Sequence, residues 1–316
     1  MDDLAALHPN GLFLRREALM FGYRDRDLAA ALAARVLVRV RHGAYISAAT
    51  WVAASAEDRY RLRGQAVCLS HGHAVALSHT SGAAALGLRL WNVDFGRVHV
   101  TRLDGGPARH HRDVVYHADS WVPDDIYLVD EMLTMSPVRS GLGTAALHGV
   151  EQGLVVLDSL IDLDLAPIEL LHSTYELIRG WPHTGRLQVT VRLVEPGAES
   201  VGESRSRFLC FAQHLPKPEL QFKVYDDSGQ LIGITDMAWP EYRTLGEFDG
   251  KIKYGRLLKP GDDVSEVVFR EKVREDELRE ATGFGMVRLI WIDLPKQRAT
   301  GARIRRMLMR GGSAAA

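Results

Sequence analysis

Apolar positions recur along this chain in three rhythms. Leu12, Phe13, Leu14, Ala18, Leu19 and Phe21 suggest a short helix stopping at Gly22. A second helix follows, capped by Asp25 or Asp27, with Leu28, Ala31, Leu32 and Ala34 on its buried stripe. Leu37–Ile46 then alternates apolar with basic residues around His42-Gly43, the pattern of a β-hairpin with one buried face. Two helices and a hairpin outline a winged helix-turn-helix over 1–48. From 49 to 118 the pattern is mixed. Helices are predicted at Glu57–Leu69 and Thr80–Leu88, and paired strands at Arg97–Thr101 and Val114–His117 around an Asp104-Gly105-Gly106-Pro107 turn. Residues 119–194 read as mostly helical. From 195 onward the periodicity gives a helix at Ala198–His214, ended by Pro216 and Pro218. Strands follow at Leu220–Tyr225, Leu231–Met237 and Thr244–Phe248, then a charged helix at Glu266–Glu280, a strand at Met286–Ile292 and a helix at Ala302–Met309. The expected fold class is therefore α+β multidomain: a winged helix (1–48), a mixed α/β then helical middle (49–194) and an α/β domain (195–316).

A chain of 316 residues, 46% hydrophobic and 25% charged, has ample material for two or three cores. Cys68 and Cys210 are too few for a disulfide framework, which points to a reducing cytoplasm. No apolar run approaches the roughly 20 residues of a membrane helix, so no membrane partner is expected. The net charge of −1 speaks against nucleic acid only until it is divided. Residues 1–118 carry 15 basic and 10 acidic side chains, 119–176 carry 1 and 11, 177–194 carry 3 and none, and 195–316 carry 20 and 19. A basic front is thus hidden by an acidic middle, which is either a solvated helical face or a surface for a basic partner.

That front has the residues for duplex DNA. Arg24, Arg26 and Arg35 flank or ride the second helix, whose N-terminal end would enter a major groove. Arg39, Arg41 and His42 belong to the wing, near phosphates or a minor groove. Other histidine pairs, His71-x-His73 and His110-His111, lack partnering ligands and read as surface or turn residues, while both cysteines read as core.

The back of the chain carries candidate chemistry. Glu203 lies on a helix, Asp236 near a strand end, and Glu247 and Asp249 alternate on the next strand, with Lys251 two further on. Carboxylates converging on one patch repel unless a cation sits between them. Hard oxygen donors suit Mg²⁺ or Mn²⁺, which can polarise a phosphoryl oxygen and activate water. The bland alternative is a solvated strand with an Asp249-Gly250 turn.

Two resemblances extend this reading. Glu203, the run Ile234-Thr235-Asp236-Met237-Ala238-Trp239-Pro240-Glu241-Tyr242-Arg243 and then Glu247-Phe248-Asp249-Gly250 resemble the PD-(D/E)XK nuclease superfamily, on its very-short-patch-repair-endonuclease-like branch; Gln221 also matches. This implies a restriction-endonuclease-like fold over roughly 195–294. Glu203, Asp236 and Glu247 would be metal ligands, with Lys251, or else Lys253, assisting the water. The superfamily's lysine stands two residues after the second acid, where this chain has Asp249. The segment Arg41-His42-Gly43-Ala44-Tyr45 followed by Leu77-Ser78-His79-Thr80-Ser81-Gly82-Ala83-Ala84 resembles AbiEi-like antitoxins of type IV toxin–antitoxin systems. Their Arg-Thr-x-x-Asp signature appears here as Arg139-Ser140-Gly141-Leu142-Gly143, without the acid. Together these imply a DNA-binding protein with an Mg²⁺-dependent endodeoxyribonuclease domain, in defence or repair. The alternatives are a non-catalytic autorepressor or antitoxin facing a cognate toxin, and a pure protein-interaction module.

Overall fold

The front hairpin forms as its alternation predicts, and it recruits a strand that the pattern hides. The computed structural model describes residues 2–181, 184–250 and 277–313, which divide into two units, 1–191 and 192–316. In the first, α1 (Asp2–Ala5), β1 (Phe13–Leu14), α2 (Arg15–Met20), α3 (Asp25–Ala33), β2 (Leu37–Arg41) and β3 (Ala44–Ser47) build a three-stranded antiparallel sheet in the order β1-β3-β2 with helices against it. Gly43 closes the hairpin at φ 75°, a conformation that costs glycine little. The predicted helix from Leu12 begins only at Arg15, because Phe13 and Leu14 pair with Tyr45 and Ala44. Asp27 accepts the Arg24 N–H at 2.9 Å and so fixes the start of α3.

These elements belong to the same unit as the middle region. Leu12, Leu14, Ala44 and Ile46 share a core with Leu62 and Ala66. Those two residues lie on the helix α5 (Ala56–His71), which follows the short α4 (Ala48–Ala53) and opens on a reciprocal Ser55–Asp58 cap.

A six-stranded sheet organises the rest of the unit. Its strands are β4 (Val75–Leu77), β5 (Val98–Arg102), β6 (Arg109–His110), β7 (Val114–His117), β8 (Ile126–Val129) and β9 (Met132–Met135), ordered β6-β7-β5-β4-β9-β8. The helix α6 (His79–Ala85) follows β4 directly. The strands at 98–102 and 114–117 do pair, but in parallel, and the short β6 supplies the antiparallel partner. The mostly helical reading of 119–194 misses the β8–β9 hairpin. Its turn, Asp130-Glu131, takes positive φ at both residues (46° and 65°) without a glycine to announce it. The helices α7 (Pro137–Leu147), α8 (Val150–Asp162), α9 (Ile168–Ile178) and α10 (Leu187–Leu193) follow. Gly82 lets α6 approach α7 closely: a Cβ there would lie 2.3 Å from Ser140 Oγ.

The second unit holds α11 (Val201–Ala212), then β10 (Glu219–Tyr225), β11 (Leu231–Trp239) and β12 (Thr244–Asp249) as an antiparallel meander. Residues 277–282 are helical (α12). β13 (Gly285–Ile290) joins β12 in parallel, giving the order β10-β11-β12-β13, and α13 (Gln297–Ser313) starts five residues before the predicted Ala302. Most of the predicted helix Glu266–Glu280 lies outside the described residues. Leu209, Cys210, Met237, Trp239, Leu289, Ile304 and Leu308 form the core between sheet and helices. Trp239 is buried there, and its indole N–H donates to Pro216 O at 2.8 Å. Among the described residues no helix is long and apolar enough to cross a membrane.

Candidate functional site

Register brings the predicted acids together at one place in the second sheet. β11 and β12 pair at Trp239↔Thr244, Ala238↔Leu245 and Met237↔Gly246. Asp236 and Glu247 are the next positions on the two strands, where the pairing stops. There the Phe248 N–H donates to Asp236 Oδ2 at 2.6 Å, so a carboxylate replaces the neighbouring backbone as acceptor. Asp249 follows two residues after Glu247, on the same face of the strand. Arg288 of β13, in register with Glu247, reaches toward both: 3.7 Å to Glu247 Oε2 and 4.0 Å to Asp249 Oδ2.

Glu203 comes to this region from the first turn of α11, where it is 9% exposed. Ser200-Val201-Gly202-Glu203 has the spacing of a helix cap. Ser200 Oγ accepts the Glu203 N–H at 3.2 Å, its hydroxyl donates to Glu203 Oε1 at 2.6 Å, and the Glu199 N–H donates to Oε2 at 2.8 Å. Burial raises the Glu203 carboxyl above its usual range. The two hydrogen bonds oppose this, and the charge of Asp236 reinforces it. Gly202 places α11 hard against Phe248, since a Cβ there would fall 1.8 Å from the ring.

The donor set is all carboxylate oxygen and fits a hard divalent cation in kind. The three carboxylates are not, however, drawn to within 4.8 Å of one another. Lys251 and Lys253, proposed to assist water, lie outside the described residues.

The six front residues are placed as follows. Arg24 precedes α3, Arg26 lies on it, and both are exposed beside Asp27, at 3.4 and 3.7 Å. Arg35 is exposed in a left-handed turn (φ 55°), Arg39 is exposed over the Tyr45 ring at 5.8 Å, and His42 is exposed in the hairpin turn. Arg41 ends β2, on the hairpin. It is 17% exposed and turned toward Asp113 Oδ2 at 3.5 Å.

Cys68 and Cys210 are buried and burial pushes both thiols up to about 12, which suits core residues. His71 is bound between Val67 O and the Tyr116 hydroxyl, a structural role.

The sequence reading passed over one group altogether. His79, His117 and Asp119 each offer a ligand atom within 4.8 Å of the others, the one such trio of His, Cys, Asp or Glu among the described residues. Burial lowers the pKa of His117 to about 4 and, helped by the charge of His117, that of His99 to about 3. No local spacing announces the trio, because β4, β7 and the segment after it deliver the residues from different parts of the sheet.

No protein-family model matches the chain, and no curated protein matches it in sequence.

Proposed function

We propose that this chain is a DNA-binding protein whose second unit is a metal-dependent nuclease module acting on DNA phosphodiesters. The observation that carries this reading is the costly placement of Glu203. A glutamine would keep the Glu199 N–H bond through its amide oxygen, at the loss of the Ser200 hydroxyl bond, and would escape the charge of Asp236. The chain instead buries a second carboxylate beside the first, at the point where Glu247 stands opposite Asp236. A bound cation relieves that repulsion.

Glu203, Asp236 and Glu247 would hold Mg²⁺ or Mn²⁺, which supplies a polarised phosphoryl oxygen and a more acidic water. Asp236 also holds the end of β12 through the Phe248 N–H, keeping Glu247 in place. Arg288, beside Glu247 and Asp249, supplies the fixed positive charge near the acids that the missing motif lysine would provide.

The first unit's β1-β3-β2 sheet with α2 and α3 supports a winged-helix reading. Exposed Arg24, Arg26, Arg35, Arg39 and His42 would meet phosphates and grooves of double-stranded DNA. Arg41, on the same hairpin, also lies 3.5 Å from Asp113.

A second reading has its own observation. Each acid already has structural work: Glu203 caps a helix, Asp236 holds an amide, and Glu247 and Asp249 face Arg288. This favours a non-catalytic repressor or AbiEi-like antitoxin, with a cognate toxin as partner.

Duplex and single-stranded DNA, incubated with the protein and Mg²⁺ or Mn²⁺, should be cut by the native chain and not by Asp236→Ala. Absence of metal-dependent cleavage on every substrate rejects the nuclease reading. DNA affinity should fall as salt rises, and each of Arg24→Ala, Arg26→Ala and Arg39→Ala should lower the log–log salt slope by about 1. Affinity indifferent to all three rejects the winged-helix reading.

A further inference from the structure

We infer that His79, His117 and Asp119 form a binding site for one divalent transition-metal ion in the first unit. The site is separate from the acidic cluster and does not depend on the nuclease reading.

Its residues come from three places. His79 opens α6 immediately after β4, His117 ends β7, and Asp119 lies two residues beyond it. His79 Nε2 is 3.9 Å from Asp119 Oδ2; the His79 and His117 rings stack at 3.7 Å between centroids with 15° between planes, so one ring must turn out of the stack for both in-plane lone pairs to meet one ion. All three residues are partly buried, so the group is sheltered yet reachable from solvent.

The donor set selects the class of ion. Two imidazoles and one carboxylate are poor for Mg²⁺ or Ca²⁺, which take oxygen. They suit Zn²⁺ and Fe²⁺, which share His₂-carboxylate sites with positions left for water or substrate.

The surroundings are those of a supported ligand set. His99, on the same face of β5 as His117 is of β7, is in register with Val115. Its Nδ1 lies 2.9 Å from His117 Nε2, where an outer partner orients a ligating imidazole. Thr101, in register with His117, hydrogen-bonds Asp119. Arg139 is held by Ser120 O at 2.5 Å and lies over the Trp181 ring at 4.8 Å, which fixes the chain next to Asp119. Gly143 of α7 leaves room for the first ligand: a Cβ there would lie 2.9 Å from His79 Cδ2. His79 itself has a positive φ (49°), a conformation uncommon for a non-glycine residue. Strand, helix start and neighbouring helix thus converge on the imidazoles.

The test uses the full chain, stripped with a chelator and titrated with Zn²⁺, with Fe²⁺ under anaerobic conditions, and with Co²⁺ as a spectroscopic probe. The expected result is one ion per chain by elemental analysis of Glu203→Gln, in which the acidic cluster has lost a carboxylate, and Co²⁺ visible bands typical of nitrogen–oxygen coordination. Zn²⁺ should raise the melting temperature, and tenfold excess Mg²⁺ should not displace it. His117→Asn and Asp119→Asn should each weaken Zn²⁺ at least tenfold with circular dichroism unchanged, whereas Glu203→Gln should leave it intact. Relative affinities for Zn²⁺ and Fe²⁺ then separate the two ions. Asp119→Asn keeps the site testable if His117→Asn fails to fold. No stoichiometric ion overturns the assignment. So does binding that survives Asp119→Asn unweakened, or binding lost in Glu203→Gln.

Discussion

Replacing Gly202 by alanine tests how the acidic site is assembled. The new methyl would lie 1.8 Å from Phe248 Cε1, 2.2 Å from Cδ1 and 2.3 Å from Cζ. Carbon–carbon contacts settle near 3.5 Å, so the ring must retreat by about 1.7 Å or the helix must lift. The ring has little room. Trp291 meets it edge-on at 5.1 Å between centroids, and the Trp291 indole is tied to Gly250 O at 3.3 Å. Forcing a methyl into such packing costs about 1–3 kcal/mol. The helical preference of alanine over glycine returns at most about 1 kcal/mol. The net expectation is a loss of up to about 2 kcal/mol in the second unit. The Phe248 amide, donor to Asp236, should be deprotected along with it. Hydrogen exchange of peptides from α11 and β12 across a urea series measures both effects without assuming that the two units unfold together. In a Phe248→Ala background the same Gly202 change should become neutral or mildly stabilising, a coupling of about 1–3 kcal/mol. Gly202→Ala with native stability and native protection at Phe248, or an equal loss in both backgrounds, refutes the packing argument.

Two further outcomes follow from named contacts. Glu203→Gln should stabilise the second unit at neutral pH. A carboxyl whose folded pKa is raised binds its proton more tightly in the native state, so native stability falls as pH climbs from about 4.5, the ordinary value, through the raised one. The gap between variant and parent should therefore open with rising pH and close in acid; urea midpoints across that range measure it, and a gap constant with pH contradicts it. Gly82→Ala should destabilise the first unit by about 1–3 kcal/mol, because its methyl would meet Ser140 Oγ in a buried helix contact. Ser140→Gly in the same chain should restore much of the loss in thermal unfolding.

The elements were readable where one rule acts alone. Hairpin alternation placed β2 and β3, and the Pro216 and Pro218 breaks bounded α11. The acids on β11 and β12 were readable because strand period and an antiparallel register suffice to oppose Asp236 and Glu247. What escaped depends on distant partners. Phe13 and Leu14 have a helical pattern and become a strand because Tyr45 and Ala44 offer an edge. The parallel pairing of β5 with β7 is invisible in two alternating segments joined by a turn. The contact of Arg41 with Asp113 is likewise a tertiary event. The His79–His117–Asp119 group is the strongest case, since only the order β7-β5-β4 brings its parts together.

The parallel edge of the second sheet also sets an order of events. β10, β11 and β12 are neighbours in sequence, so their meander closes short loops and forms with little entropic delay. β13 must return from far along the chain, with Gly285 pairing to Thr244, and such non-local contacts are slow to form. The acids are therefore gathered on early strands, while Arg288, the cation beside Glu247 and Asp249, arrives on the last one. Until β13 docks, the negative charges of Glu247 and Asp249 stand on an open β12 edge without Arg288 beside them. That charge would repel a second copy of the same edge and guard the unfinished sheet against strand-to-strand association.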